Sequence, residues 1–380
     1  MRIVHLGHSD FPVLYRRGGA IVRQMLELAK AQASRGHEVI LYSADQAASR
    51  RDHDGVEIRS IACRWPAPLR DIEYARKALK ELRREPVDIL HFHCLPEGAA
   101  LARAFRAAKF LSFNYYIFRR GKKTPLFWWY RQWLREYSCL LPISEYCMRG
   151  FKQYWRLADV AVHVVYNGVN LEQFAPDRAS GDALRRELGI REDARVLLYV
   201  GRVCEQKGSD VLIRAFTQLR AQFDNVRLVV AGPNGRFGNH AESGLIRQIR
   251  EVGGLYLGAV EEEMLSSVFN LSDVFVMPTR SLEMFGMAAL EAQACGKPVI
   301  CSAHGGLPEV VSPQSGIFFP VGDARALADC AARLLRNPNQ WRTMAAAARS
   351  NALRFGWSKI ADELDGVYCG AFERLAASAS

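Results

Sequence analysis

The chain has 380 residues, 49% of them apolar, and 51 Lys+Arg against 40 Asp+Glu for a net charge of +11. That length exceeds one ordinary core and points to two domains. No uninterrupted apolar run approaches the roughly 18 residues that a membrane-spanning helix needs. Met1 leads straight into the strand-like Arg2-Ile3-Val4-His5-Leu6 with no long apolar segment and cleavage site, so a cytoplasmic protein is expected.

The charge is uneven. Residues 1–170 carry 28 basic and 16 acidic side chains, and residues 171–380 carry 23 and 24, so the whole excess sits in the first part. Residues 101–150 alone hold ten basic and two acidic side chains, including Arg119-Arg120-Gly121-Lys122-Lys123 ahead of Phe127-Trp128-Trp129-Tyr130 and Trp133. Basic residues beside aromatics suit an anionic membrane surface, here through residues 118–135, or a solvated loop before a core-facing helix. The nine cysteines are odd in number and never spaced C-x-x-C, so they read as reduced core thiols.

Short apolar runs alternate with helical patterns, the signature of parallel sheets covered by helices. Strands are predicted at 3–6, 39–42, 56–61, 88–93, near 110–113, 140–143 and 162–165. A turn follows at Tyr166-Asn167-Gly168-Val169-Asn170, with a hinge expected near 168–180. A second series is predicted at 196–200, 226–231, 255–257, 274–277 and 299–301. Two doubly wound Rossmann-like domains follow, residues 1–170 and 171–357, with a last helix over about 358–380 packing back on the first.

Such sheets bind ligands beyond the carboxyl ends of their strands. After the first strand, Gly18-Gly19 precedes a helix whose free N–H groups can hold an anion. After strand 196–200 comes Gly201-Arg202-Val203-Cys204-Glu205-Gln206-Lys207-Gly208, where Arg202 and Lys207 can converge on a diphosphate. After strand 274–277, Glu283 precedes a helix beginning near Phe285-Gly286-Met287, and Glu291 lies in its second turn. A carboxylate among alanines needs hydrogen-bond donors, and sugar hydroxyls supply them. A capping acid and a salt-bridged helix acid would have the same spacing. His91 and His93, after the fourth strand, read as acceptor-site groups or core histidines.

Together these segments resemble the retaining glycosyltransferases with the two-domain GT-B fold and an E-x(7)-E motif. The resemblance rests on Ser144-Glu145, Y-N-G-V-N at 166–170, G-R…K-G at 201–208, E-M-F-G…E-A-Q-A-C-G-K-P-V at 283–299, G-G-L-P-E at 305–309 and R-F-G-W-S before the final helix. It implies two domains facing across a cleft, with a nucleotide-diphosphate sugar (UDP or GDP type) on the second and an acceptor on the first. Arg202 and Lys207 would bind the diphosphate, Glu283 the sugar and Glu291 the ribose. Gly18 and Gly19 would reach the phosphates, and Phe285, Gly286 and Met287 would complete the donor pocket. The resemblance implies no metal and no cofactor. Three positions depart from the family: Asn114, beside Tyr115, replaces a common histidine on the acceptor side, Met284 replaces glycine, and Asn170 replaces aspartate.

The resulting expectation is hexose transfer to a glycan or lipid-linked acceptor in bacterial cell-surface polysaccharide synthesis, at the inner face of the plasma membrane. The alternatives are transfer to a small soluble acceptor, or a sugar-nucleotide epimerase of the same architecture. Nucleic-acid binding would leave the second domain's motif without a purpose.

Overall fold

The computed structural model describes residues 1–7, 20–45, 48–65, 69–113, 126–155, 159–235 and 244–377. The chain divides into two compact units, Met1–Gly168 with Trp357–Ser380, and Val169–Gly356.

The first unit holds seven strands: β1 (Arg2–Leu6), β2 (Glu38–Asp45), β3 (Ser49–His53), β4 (Val56–Ala62), β5 (Ile89–His93), β6 (Ala108–Phe113) and β7 (Cys139–Pro142). Their order is β3-β4-β2-β1-β5-β6-β7, parallel except for β3 against β4. The order reverses between β2 and β5 on either side of β1, which makes β1/β5 the switch point. Strands buried on both faces read as continuous apolar runs, and β5 and β7 are buried throughout. β3 was not predicted: its charged residues 50–52 are exposed, so no apolar alternation marks it. It is an edge strand returned by the tight Asp54-Gly55 turn, both residues at positive φ.

Residues 162–165, predicted as a strand, lie parallel to β7 through the bridge between Val162 and Leu140 and two backbone hydrogen bonds, from His163 N–H to the Leu140 carbonyl and from Val165 N–H to the Pro142 carbonyl, without forming a regular strand. The helix Trp357–Ala377 buries Ile360, Ala361, Leu364, Tyr368 and Ala371 on one face, against Ile3, Ile89, Phe110 and Leu141. Its outer edge is tied down where Arg35 and His37 both donate to Asp365, at 2.7 and 3.0 Å.

The second unit carries six parallel strands: β8 (Arg195–Val200), β9 (Val226–Ala231), β10 (Leu255–Gly258), β11 (Val274–Met277), β12 (Val299–Ser302) and β13 (Gly316–Phe319). Their order is β10-β9-β8-β11-β12-β13, so the switch point lies between β8 and β11. The segments after those two strands are the ones that carry Lys207 and Glu283.

Candidate active site

Three loops beyond the strands of the second unit lock together. After β8, the Tyr199 hydroxyl donates to the Arg202 carbonyl at 2.7 Å, and Val203 N–H donates to the Pro233 carbonyl at 3.0 Å. The loop closes in a 3-10 turn, Glu205–Lys207, ahead of the helix Ser209–Arg220. The loop after β11 lies on that turn: the N–H groups of Arg280 and Ser281 donate to the Gln206 carbonyl at 3.0 and 2.9 Å. From the β12 side, Ser302 Oγ donates to the Thr279 carbonyl at 2.8 Å, and Gly306 N–H to the Glu283 carbonyl at 2.7 Å.

Two glycines permit this approach. Gly208 has φ +77°, and a Cβ there would lie 1.8 Å from the Pro278 carbonyl oxygen. Gly305 has φ +66°, and its Cβ would lie 2.0 Å from the Glu283 carbonyl oxygen. A side chain at either position would push Glu283 away from the turn that carries Lys207.

The interlocked loops bring two of the predicted residues into contact: Lys207 Nζ stands 2.6 Å from Glu283 Oε2, with the side chains 24% and 17% exposed. This is a charge-assisted hydrogen bond in a partly screened setting. The ammonium can ligate phosphate and the carboxylate can accept from hydroxyls. Arg202 is half-buried and makes no ion pair among the described residues.

Gly286 caps the helix Met287–Ala294 at φ +107°. Met287 is half-buried beside it. The Phe285 side chain is instead turned into the core, edge-on to Phe355, so its part in binding a ligand is limited to its backbone. Glu291 is 3% exposed, on the helix between Leu290 and Ala292. Lys297, in the G-K-P segment, is a structural residue: its ammonium donates to the Asn270 carbonyl at 2.9 Å, and burial lowers its pKa.

On the first unit, Gly18, Gly19, Asn114 and Tyr115 lie outside the described residues, as do residues 118–125 of the basic-aromatic stretch. The helix Leu126–Leu134 is described, and it exposes Trp128 and Trp129 while burying Leu134. A recess is lined by His91, His93, Cys94, Ser112, Phe113 and Trp357, among others. Cys94 holds φ +57°, a strained conformation for a residue with a Cβ.

His93 belongs to a buried network that the sequence pattern only half revealed. His5 Nδ1 lies 2.9 Å from His93 Nε2, and His5 Nε2 lies 2.7 Å from Gln32 Oε1. His91 bonds to Ser112 Oγ at 2.7 Å and to the Tyr368 hydroxyl at 2.5 Å. Burial pulls His5 down to about 4 and His91 well below its ordinary value, so both rings are neutral at pH 7. His5 was missed in the sequence reading. The available signal was the alternation His91-x-His93, which puts both rings on one face of a strand and opens a place for a third on its neighbour.

The sequence profile described as "Glycosyl transferases group 1" matches residues 181–351, and the one described as "Glycosyltransferase Family 4" matches residues 18–173. A D-inositol 3-phosphate glycosyltransferase of Thermobispora bispora is 39% identical over 224 residues, 56% of this chain and 51% of that protein. The chain thus spans about half the length of the curated relatives it matches. Among solved structures, a sucrose-phosphate synthase from Thermosynechococcus elongatus has a TM-score of 0.80 at 21% identity, covering 98% of this chain and all of that one. Anabaena HepE in complex with UDP-glucose has a TM-score of 0.75 at 18% identity, covering 97% of this chain and 100% of the other. Two glycosyltransferase profiles thus match successive halves of the chain, and its fold is the GT-B fold of two parallel-sheet α/β domains. Among the described residues, no helix is long and apolar enough to cross a membrane.

Proposed function

We propose that the protein transfers a hexose from a UDP- or GDP-type sugar, held by the unit Val169–Gly356, to a hydroxyl held by the other unit. The contact between Lys207 and Glu283 carries this reading. It sits at the switch point of the second sheet, where open α/β sheets take their ligands. The donor replaces that ion pair: the diphosphate draws Lys207 and Arg202, and sugar hydroxyls satisfy Glu283. Glu291 takes the ribose diol.

Positive side chains and the helix N-terminus at Gly286 and Met287 then stabilise the departing diphosphate with no metal or cofactor at that position. The configuration at the anomeric carbon is retained by same-face attack, and the leaving phosphate accepts the acceptor proton. Calorimetric titration tests the donor half. UDP or GDP binds the wild type, and Arg202→Ala weakens it at least tenfold; equal affinity in both proteins refutes the assignment.

For the acceptor, a glycan or lipid-linked hydroxyl at the cytoplasmic membrane face is supported by the exposed pair Trp128 and Trp129. The pathway would be cell-surface polysaccharide synthesis. A small soluble acceptor is the second reading, favoured by the name of the inositol 3-phosphate relatives. Flotation with anionic vesicles at low salt separates the two. The lipid reading requires binding that falls when Trp128 and Trp129 are both changed to Ala, and no binding by the wild type removes it.

A further inference from the structure

We propose that His5, His91 and His93 form a binding site for a divalent cation of the borderline-soft class, best matched by Zn²⁺. Neighbouring strands supply the ligands. His5 on β1 is in register with His91 on β5, and His93 follows two residues later on the same face. One ligand nitrogen from each ring lies within 4.8 Å of the others, and all three residues are buried. A neutral, all-nitrogen set suits zinc and its transition-metal neighbours rather than oxygen-seeking Mg²⁺ or Ca²⁺.

Details of the network fit a metal that takes the place of a proton. His5 donates its Nε2–H to Gln32 Oε1, which leaves the Nδ1 lone pair facing His93 Nε2 at 2.9 Å. One proton fills that gap. Two nitrogens bound to a tetrahedral zinc stand about 3.3 Å apart, so exchanging the proton for a cation opens the pair by about 0.4 Å. The displaced proton leaves His93 Nε2 for solvent or for the ring's other nitrogen, and the ring binds as a neutral imidazole. Gln32 then acts as the outer-shell carbonyl that fixes a metal-bound imidazole.

The rings of His91 and His93 stack at 4.0 Å, so one of them must turn for the third nitrogen to reach the cation. That nitrogen gives up its hydrogen bond to Tyr368 or Ser112, and the Tyr368 oxygen or a water completes the tetrahedron. The cation would pin β1 to β5 and, through Tyr368, to the helix Trp357–Ala377. This site is independent of the donor reading, because every group lies in the first unit.

The test uses full-length, metal-stripped protein titrated with Co²⁺, followed by Zn²⁺ and thermal melting. The expected result is one equivalent of Co²⁺ with the strong visible absorption of tetrahedral coordination. No near-ultraviolet thiolate-to-metal band should appear, which separates this site from the nine cysteines. Zn²⁺ then displaces the Co²⁺ and raises Tm; Cys94→Ser preserves both effects, and His93→Gln abolishes them. A wild-type protein with only weak octahedral absorption and a Tm indifferent to Zn²⁺ would show the three histidines to be a hydrogen-bonded core network and nothing more. A thiolate band would place the cation elsewhere. Neither result depends on a variant folding.

Discussion

Gly208→Ala is the sharpest perturbation of the loop lock. At φ +77° an alanine carries the left-handed penalty of about 1–2 kcal/mol. Its Cβ would also meet the Pro278 oxygen at 1.8 Å, whereas ordinary contact begins at 3.4 Å, so the β11 loop must retreat by about 1.6 Å. Overpacking of this kind costs about 1–3 kcal/mol, which brings the expected loss to roughly 2–5 kcal/mol. The retreat also separates Glu283 from Lys207, and a misplacement near 1 Å can cost about 100-fold in rate. Gly189→Ala is the control: it shares the positive φ, +65°, but has nothing within 4 Å, so it carries the backbone penalty alone. Denaturant unfolding and nucleotide titration should show Gly208→Ala less stable than Gly189→Ala and at least tenfold weaker in nucleotide binding. Equal stability of the two variants, with wild-type nucleotide affinity, would refute the interlocking of these loops.

The remaining predictions concern single side chains. Lys207→Met should weaken nucleotide binding while leaving Glu283 without its cation; unchanged affinity by calorimetry would count against a phosphate role. Gln32→Leu should loosen His5 and lower Tm by a few degrees at pH 7, a change visible by circular dichroism. Glu97 is half-buried, and desolvation raises its carboxyl to about 7 from 4.5. A raised folded pKa means that its neutral form stabilises the fold below pH 4.5, and this advantage is lost as pH climbs through 7. Glu97→Gln should therefore match the wild type at pH 4 and exceed it at pH 8 by up to about 2–3 kcal/mol. Equal unfolding curves at pH 8 would show that Glu97 is already well solvated.

Much of the fold was legible because buried parallel strands are written as apolar runs. Val274–Met277 carries that pattern without interruption and Val226–Ala231 with one charged residue, Arg227, and the loops after them follow directly. β3 was illegible for the opposite reason: its pairing comes from the Asp54-Gly55 turn, not from burial. Residues 162–165 do run beside β7, with the N–H groups of His163 and Val165 donating to the Leu140 and Pro142 carbonyls at 3.0 Å each, but the pairing is too short to make a regular strand.

At the site, Lys207 and Glu283 were readable as chemistry, but their contact depends on a crossover that spacing does not encode. The two lie 76 positions apart, and only the β8–β11 adjacency brings them to 2.6 Å. The position of Phe285 in the segment suggested the donor pocket, and its side chain fills the core beside Phe355. The histidine network required knowing that β1 and β5 are neighbours, a fact of topology and not of composition.

The central claim is that Glu283 holds the sugar of a nucleotide-diphosphate donor. Its most direct test is release of nucleotide from UDP-, GDP- and ADP-sugars by the wild type and by Glu283→Ala, each with nucleotide affinity measured in parallel. The account predicts turnover of one UDP- or GDP-sugar by the wild type, loss of that turnover in the variant, and nucleotide affinity within a few-fold of wild type in both. Near-normal turnover by Glu283→Ala would contradict it.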